Sequence, residues 1–304
     1  MTACVLFFAV IGFAEIHQNP GSKQRLAHEK YIRVISESTS PVQQIYVKAK
    51  DGLYIAAALR KPAGDGPFPA VIIFHGAPGG RGMEQLVGWS RGATGGPVWE
   101  RFLQEGYVVI VADYRGGPRV QGQPPPGSIT YIDDGVSVVD YVKALPYVNP
   151  NRINLYGASM GGGLVLGIVS RITVNAAILG APAPMGFLGM NLPPGAAGAG
   201  PDRFKDAKVD AELARRNIEP IKTPLLILVG TADSLLPVDR ILHDMLAEAG
   251  KSVRMEIYEN GYHDFCFGPQ GQKRTELEWG TEALLDSTLA ALEKSVLFLK
   301  GDIR

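Results

Sequence analysis

A serine, an aspartate and a histidine stand in this 304-residue chain in settings that could make a nucleophile. They are Ser159 within Gly157-Ala158-Ser159-Met160-Gly161, Asp233 within Thr231-Ala232-Asp233-Ser234, and His263 within Asn260-Gly261-Tyr262-His263. A serine hydroxyl attacks a carbonyl carbon only when a neighbouring base takes its proton, and an imidazole serves as that base when a carboxylate holds its tautomer and orientation. The chain order serine, acid, histidine suits such a relay if each residue follows a strand end. By itself the spacing Gly-x-Ser-x-Gly is a weak signal in a chain with 37 glycines, and a serine there can simply cap a helix. Two rivals are set aside on position. Asp264 is the sequence neighbour of His263 and points elsewhere, and Cys266 lacks a comparable turn and reads as a core filler.

The elements that must position these residues are legible as short, continuous apolar runs at residues 70–76, 107–114, 152–157, 174–180, 224–230 and 253–259. Runs without alternation belong to strands of a parallel sheet covered on both faces. Ser159 follows the third run and opens Met160-Gly161-Gly162-Gly163, which reads as a helix start with small residues on its first turn. A strand, a turn that glycine permits and a helix N-terminus then coincide at one hydroxyl, where the helix dipole and the Met160 N–H favour negative charge. Asp233 follows the fifth run and His263 the sixth. A second oxyanion donor is expected from His75-Gly76-Ala77-Pro78-Gly79-Gly80, after the first run, through the N–H of Ala77 or of Gly76. His75 itself reads as a structural residue at the strand end rather than a second base. Residues 42–49 and 53–60, joined by Lys50-Asp51-Gly52, read as a hairpin. Apolar stripes through Ile132, Val136 and Val139, and through Leu285, Leu289, Leu292 and Val296, mark two helices. The predicted class is α/β: a mostly parallel, doubly wound sheet with an antiparallel N-terminal hairpin and flanking helices.

Length and composition suit one domain, residues 41–304, preceded by an extension over residues 1–40. Thirty basic and thirty acidic residues cancel, without blocks of like charge. Nucleic acid and anionic membrane surfaces are therefore not expected partners, and a small uncharged molecule is. Cys4 and Cys266 lie near opposite ends, and the five histidines show no ligand spacing, so neither a disulfide framework nor a metal site is expected and no cofactor is needed. The apolar run Ala3 to Ala14 is too short to span a bilayer. It reads either as an export signal, implying a secreted or periplasmic protein, or as a buried segment of a cytoplasmic one. Two connections exceed the usual loop length, residues 76–97 and 181–220. The second carries Met185, Phe187, Leu188, Met190 and Leu192 and then a short helix expected over 202–216. It reads as an apolar flap over a binding site, with a low-complexity linker as the alternative.

The stretch from Asp133 to Gly162, with Ala112-Asp113-Tyr114-Arg115-Gly116-Gly117, His75 to Gly80, Gly230 to Pro237 and Tyr258 to Phe265, resembles the catalytic domain of the prolyl oligopeptidase family and its dienelactone hydrolase and esterase relatives. The resemblance covers about residues 42–300, with its motifs in the family's order. It implies the α/β-hydrolase fold, a triad of Ser159, Asp233 and His263, and a substrate site that Gly76 and Asp113 to Gly116, including Tyr114 and Arg115, help to shape. Two departures favour an esterase over a peptidase. Forty N-terminal residues leave no room for the propeller of the oligopeptidases, and Met160 stands where they usually carry an aromatic residue. The expected activity is cleavage of short-chain carboxylic esters through an acyl-enzyme. The alternatives are a peptidase or amidase acting on short peptides and a silent binding protein with the same fold.

Overall fold

The computed structural model describes residues 40–90, 96–115, 130–190, 204, 208–263, 265–267 and 282–303. The apolar run at residues 3–14, and with it the signal-peptide reading, lies outside them. Among the described residues eight strands are formed: β1 (Gln43–Lys48), β2 (Tyr54–Arg60), β3 (Phe68–Phe74), β4 (Val108–Ala112), β5 (Val148–Ala158), β6 (Ala176–Gly180), β7 (Leu225–Gly230) and β8 (Val253–Tyr258). They make one sheet in the order β1-β2-β4-β3-β5-β6-β7-β8. The hairpin β1/β2 and the pair β2/β4 are antiparallel, and the remaining neighbours are parallel. All residues of β4, β6 and β7 are buried, which is why these strands are apolar throughout rather than alternating.

Helices cover both faces. They are α1 (Met83–Ser90), α2 (Gly96–Gln104), α3 (Tyr131–Lys143), α4 (Met160–Val169), α5 (Ala211–Ile218), α6 (Leu236–Glu248) and α7 (Glu282–Lys300). Side chains along a strand point alternately to the two faces, and β3 shows the result. Ile72 and Phe74 pack with Val139 of α3, Leu164 of α4 and Leu242 of α6. Val71 and Ile73 pack with Leu86 of α1, Phe102 of α2 and Leu292 of α7. Among the described residues no helix is long and apolar enough to cross a membrane.

Two expectations change. The connection 76–97 is not loop throughout, because α1 forms within it and buries Leu86 completely. Its early glycines Gly79, Gly80 and Gly82 end where Met83 begins, so glycine content averaged over the segment hid the helix. The helix expected over 202–216 is observed as Ala211–Ile218, because the Asp210 side chain accepts a hydrogen bond from the Leu213 N–H and caps it there.

Candidate active site

Strand order decides where a site can open. After β3 the chain passes to α1 and α2 on one face of the sheet, and after β5 it passes to α4 on the other. β3 and β5 are paired up to Phe74 and Gly157, so the connections that leave their C-terminal ends part to opposite faces, the place where open α/β sheets bind ligands. Ser159 stands at that point.

Ser159 adopts φ 49° and ψ −116° between the end of β5 and the start of α4. A non-glycine residue at positive φ is strained by about 1–3 kcal/mol and persists only where its surroundings impose it. Here they do. The Ser159 N–H donates to the Gly180 carbonyl at 3.0 Å, and its carbonyl accepts from Gly162 at 2.9 Å and from Ala183 at 2.8 Å. A Cβ on Gly157 would strike the backbone of Gly161 and Gly162, and one on Gly161 would strike the carbonyls of Phe74 and His75. The two glycines thus let strand, helix and the loop after β3 close in upon one another.

Asp233 and His263 arrive on loops joined by backbone contact. Gly230 ends β7, and a Cβ there would meet the Gly261 carbonyl and lie 2.5 Å from its Cα. The Ala232 N–H donates to the Gly261 carbonyl at 2.9 Å, and the Asn260 N–H to the Thr231 hydroxyl at 2.8 Å, with Asn260 at φ 57°. In consequence His263 Nδ1 lies 2.9 Å from Asp233 Oδ2, and His263 Nε2 lies 3.0 Å from Ser159 Oγ. The other oxygen of Asp233 accepts from the Leu235 N–H at 2.8 Å. The Asp233 side chain is buried while that of His263 is 38% exposed, so the imidazole bridges a dry carboxylate and an accessible hydroxyl. A chain of this kind can pass the serine proton to the imidazole and stabilise the imidazolium that results.

Gly230→Ala is expected to push the histidine loop away from the acid and lower kcat by about a hundredfold, the scale of a 1 Å misplacement of catalytic groups. Gly250→Ala is the comparison: it replaces a glycine at φ 68° that stands in open space, so it strains the backbone without striking a neighbour. It should lower the melting temperature and leave kcat alone. Melting curves and steady-state rates for the two variants check this.

The loop after β3 is riveted by Asp113. Its carboxylate accepts from the N–H groups of Gly80 (2.8 Å), Gly82 (2.9 Å) and Tyr114 (2.8 Å), and it faces His75 Nε2 at 3.1 Å. Burial works against its charge, yet the hydrogen bonds from His75 and from the Gly82 and Tyr114 N–H groups prevail and hold its pKa at about 2. His75 is buried with both ring nitrogens occupied, Nδ1 lying 2.7 Å from the Gly76 carbonyl. The N–H groups of Met160 and Ala77 find no acceptor among the described residues. Met160 begins α4, whose first N–H groups have no intrahelical partner. Met160 directly follows Ser159, and Ala77 follows the end of β3, the strand that neighbours β5.

Four residues expected to contact substrate are held elsewhere. Tyr114 is buried, stacks on His75 at 4.7 Å between ring centroids and donates from its hydroxyl to the His75 carbonyl at 2.7 Å. Arg115 forms paired hydrogen bonds with Asp134 of α3 (2.6 and 2.7 Å) and further ones with Asp51 of the hairpin turn (2.6 and 3.2 Å), so its guanidinium ties elements together. Phe187 and Leu188 turn into the core with Ala214 and Ile218 of α5. Gly76 is half-buried with its carbonyl engaged by His75, and Met185 stays partly buried beside Leu235. Leu192 and Asp264 lie outside the described residues.

Residues 55–282 match the model of the dienelactone hydrolase family. The chain belongs to that family. Among curated relatives it is similar to the quorum-quenching protein AidA of Acinetobacter baumannii, 30% identical over 126 residues, 41% of this chain and 38% of that protein. It is also similar to the uncharacterized protein YfhR of Salmonella typhimurium, 29% identical over 220 residues, 67% of this chain and 69% of that protein. The match to AidA thus spans less than half of that relative's length. Among solved structures, an esterase of Pyrobaculum calidifontis superposes with a TM-score of 0.61 at 17% identity, over 92% of this chain and 91% of that one. At that identity the likeness is one of fold, the α/β-hydrolase fold.

This dienelactone hydrolase family chain carries one feature beside the acid loop that its sequence did not advertise. Asp239, on the core-facing side of α6 with Val238, Leu242 and Leu246, is completely buried. Neither of its oxygens has a hydrogen-bond partner among the described residues. Burial, and then the charge of Asp233, raise its pKa well above the usual carboxylate range. Because the folded pKa lies above the unfolded one, stability is greatest below about pH 4, the unfolded value, and falls as pH rises toward the folded pKa. Asp239→Asn, neutral throughout, should therefore melt increasingly above the parent as pH is raised from 4 to 8. A constant difference between the two melting curves would show that Asp239 is ionised in the fold.

Proposed function

We propose that the protein is a serine carboxylesterase that hydrolyses small uncharged esters through an acyl-enzyme. The observation that carries this reading is the unbroken chain from Ser159 Oγ to His263 Nε2 at 3.0 Å and from His263 Nδ1 to Asp233 at 2.9 Å, beside the unengaged N–H of Met160. Ser159 attacks the ester carbonyl carbon while its proton passes to His263 Nε2. The negative charge that develops on the carbonyl oxygen is received by the N–H groups of Met160 and Ala77. His263 then returns the proton to the leaving oxygen, the alcohol departs and the acyl group remains on Ser159. A water molecule, deprotonated by His263, attacks this ester, and collapse of the second tetrahedral adduct releases the acid and restores the hydroxyl.

The ion pairs of Arg115 weigh against the peptidase alternative, since a guanidinium can hold a peptide carboxylate and this one is committed to Asp134 and Asp51. The name of the structural neighbour, an esterase, points the same way. The experiment is labelling with a fluorophosphonate followed by peptide mass spectrometry, with a p-nitrophenyl butyrate assay alongside. Modification at Ser159 with parallel loss of activity is expected. An active enzyme that resists the reagent, or is modified at another residue, would overturn the assignment.

A further inference from the structure

Besides the two apolar cores that flank the sheet, a third apolar cluster stands at its C-terminal edge. Phe204, Leu235 and Val238 are buried in it, and Ala183, Met185 and Met190 are only partly buried. Both of its ends are tied to the candidate triad. The Ala183 N–H donates to the Ser159 carbonyl at 2.8 Å, and the Leu235 N–H donates to Asp233 Oδ1 at 2.8 Å. The chain reaches this position through Ala181, a buried alanine at φ 43°. Strain of this kind persists where tertiary contacts demand it and gathers at functional sites. The segment then packs so close to α4 that a Cβ on Gly163 would lie 2.8 Å from the Ala183 carbonyl.

We propose that this cluster is the acyl-binding wall, with Met185 and Met190 as specificity-determining residues for an uncharged, unbranched aliphatic acyl group. The proposal rests on the esterase reading. A tetrahedral carbon on Ser159 Oγ has three other substituents. The oxyanion faces the Met160 and Ala77 N–H groups on the β3 side, and the leaving oxygen faces His263 Nε2. The direction left for the acyl chain is toward the ends of β6 and β7, where Ala183, Met185 and Leu235 stand. Every side chain of the wall is apolar, so a charged or hydroxylated acyl group would lose hydration without gaining a partner. The thioethers of Met185 and Met190 are flexible and polarisable, and they adapt to an alkyl chain as they do to irregular gaps in cores.

The test compares kcat/KM across two series, p-nitrophenyl esters from acetate to decanoate and acetates of alcohols from butanol to decanol. A methylene that an apolar pocket buries is worth about fourfold to tenfold in kcat/KM. Met185→Ala and Met190→Ala should move the acyl optimum to longer chains, raising the octanoate-to-butyrate ratio about tenfold, and Met185→Trp should lower it. Met185→Leu, which keeps the volume, should hold the ratio near the parent's. If one alanine variant fails to fold, the other and Met185→Leu still read the ratio. Unchanged acyl ratios in folded variants, or a shift confined to the alcohol series, overturn the wall. Fluorophosphonate labelling and ester hydrolysis by the parent protein separate the two readings. A labelled, active parent with insensitive variants sinks the wall alone, whereas an unlabelled, inactive parent sinks the esterase reading with it.

Discussion

Ser159→Ala is expected to lower kcat for p-nitrophenyl butyrate by about four to six orders of magnitude, His263→Ala by a similar factor, and the double variant by no more than the worse of the two. Nucleophile and base act as a unit: without the imidazole the hydroxyl keeps its proton, and without the hydroxyl the imidazole has nothing to deprotonate. The 3.0 Å separation of His263 Nε2 and Ser159 Oγ is the geometry that makes them a unit. Asp233→Asn should cost about 10⁴-fold, because a carboxamide cannot hold the imidazole tautomer that leaves Nε2 free to accept. Steady-state kinetics on variants with unchanged melting temperatures measure these losses. Multiplicative losses in the double variant would mean that Ser159 and His263 contribute separately, and the triad reading would fall.

The second large effect concerns the bond cleaved. The ratio of kcat/KM for p-nitrophenyl butyrate to that for a dipeptidyl p-nitroanilide at one pH is expected to exceed about 10³. An amide nitrogen leaves only after protonation in a well-fixed geometry, so amide cleavage depends on contacts that immobilise the leaving side, and such positioning can be worth about 7–11 kcal/mol. An ester oxygen leaves more readily. The polar groups expected near the site are already engaged: Arg115 is bound by Asp51 and Asp134 and His75 by Asp113 and Gly76, and the cluster of Ala183, Met185, Met190, Phe204, Leu235 and Val238 is apolar. A ratio near or below one would transfer the site to the peptidase alternative.

The candidate triad was legible because the setting of each of its residues is written locally. Gly157, Ser159 and Gly161 follow an apolar strand and open a helix, and Asp233 and His263 each follow another apolar strand. Burial on both faces removes alternation from β4, β6 and β7, which is what makes parallel strands readable as short continuous runs. Glycine-rich composition misled where it was averaged, as in the segment that holds α1. Side-chain direction was not legible at all. Tyr114 and Arg115 sit beside the crevice in sequence, but the hydroxyl of one reaches the His75 carbonyl and the guanidinium of the other reaches carboxylates 19 and 64 residues away.

The sequence alone determined the alternation of strand and helix, the order of the three chemical residues and the strand end that each follows, since apolar period and glycine placement act over a few residues. Only the tertiary structure decided which strand ends are neighbours: the order β4-β3-β5 opens the crevice at Ser159, and the contact of Gly230 with Gly261 joins the loops of Asp233 and His263. It also decided that Phe187 and Leu188 serve the core while Met185 stays partly buried, and that Asp239 is buried beside Asp233 without a hydrogen-bond partner among the described residues. Such outcomes depend on contacts between segments tens of residues apart, where a side chain's fate is set by whatever packs against it, and no short window of sequence contains that neighbour.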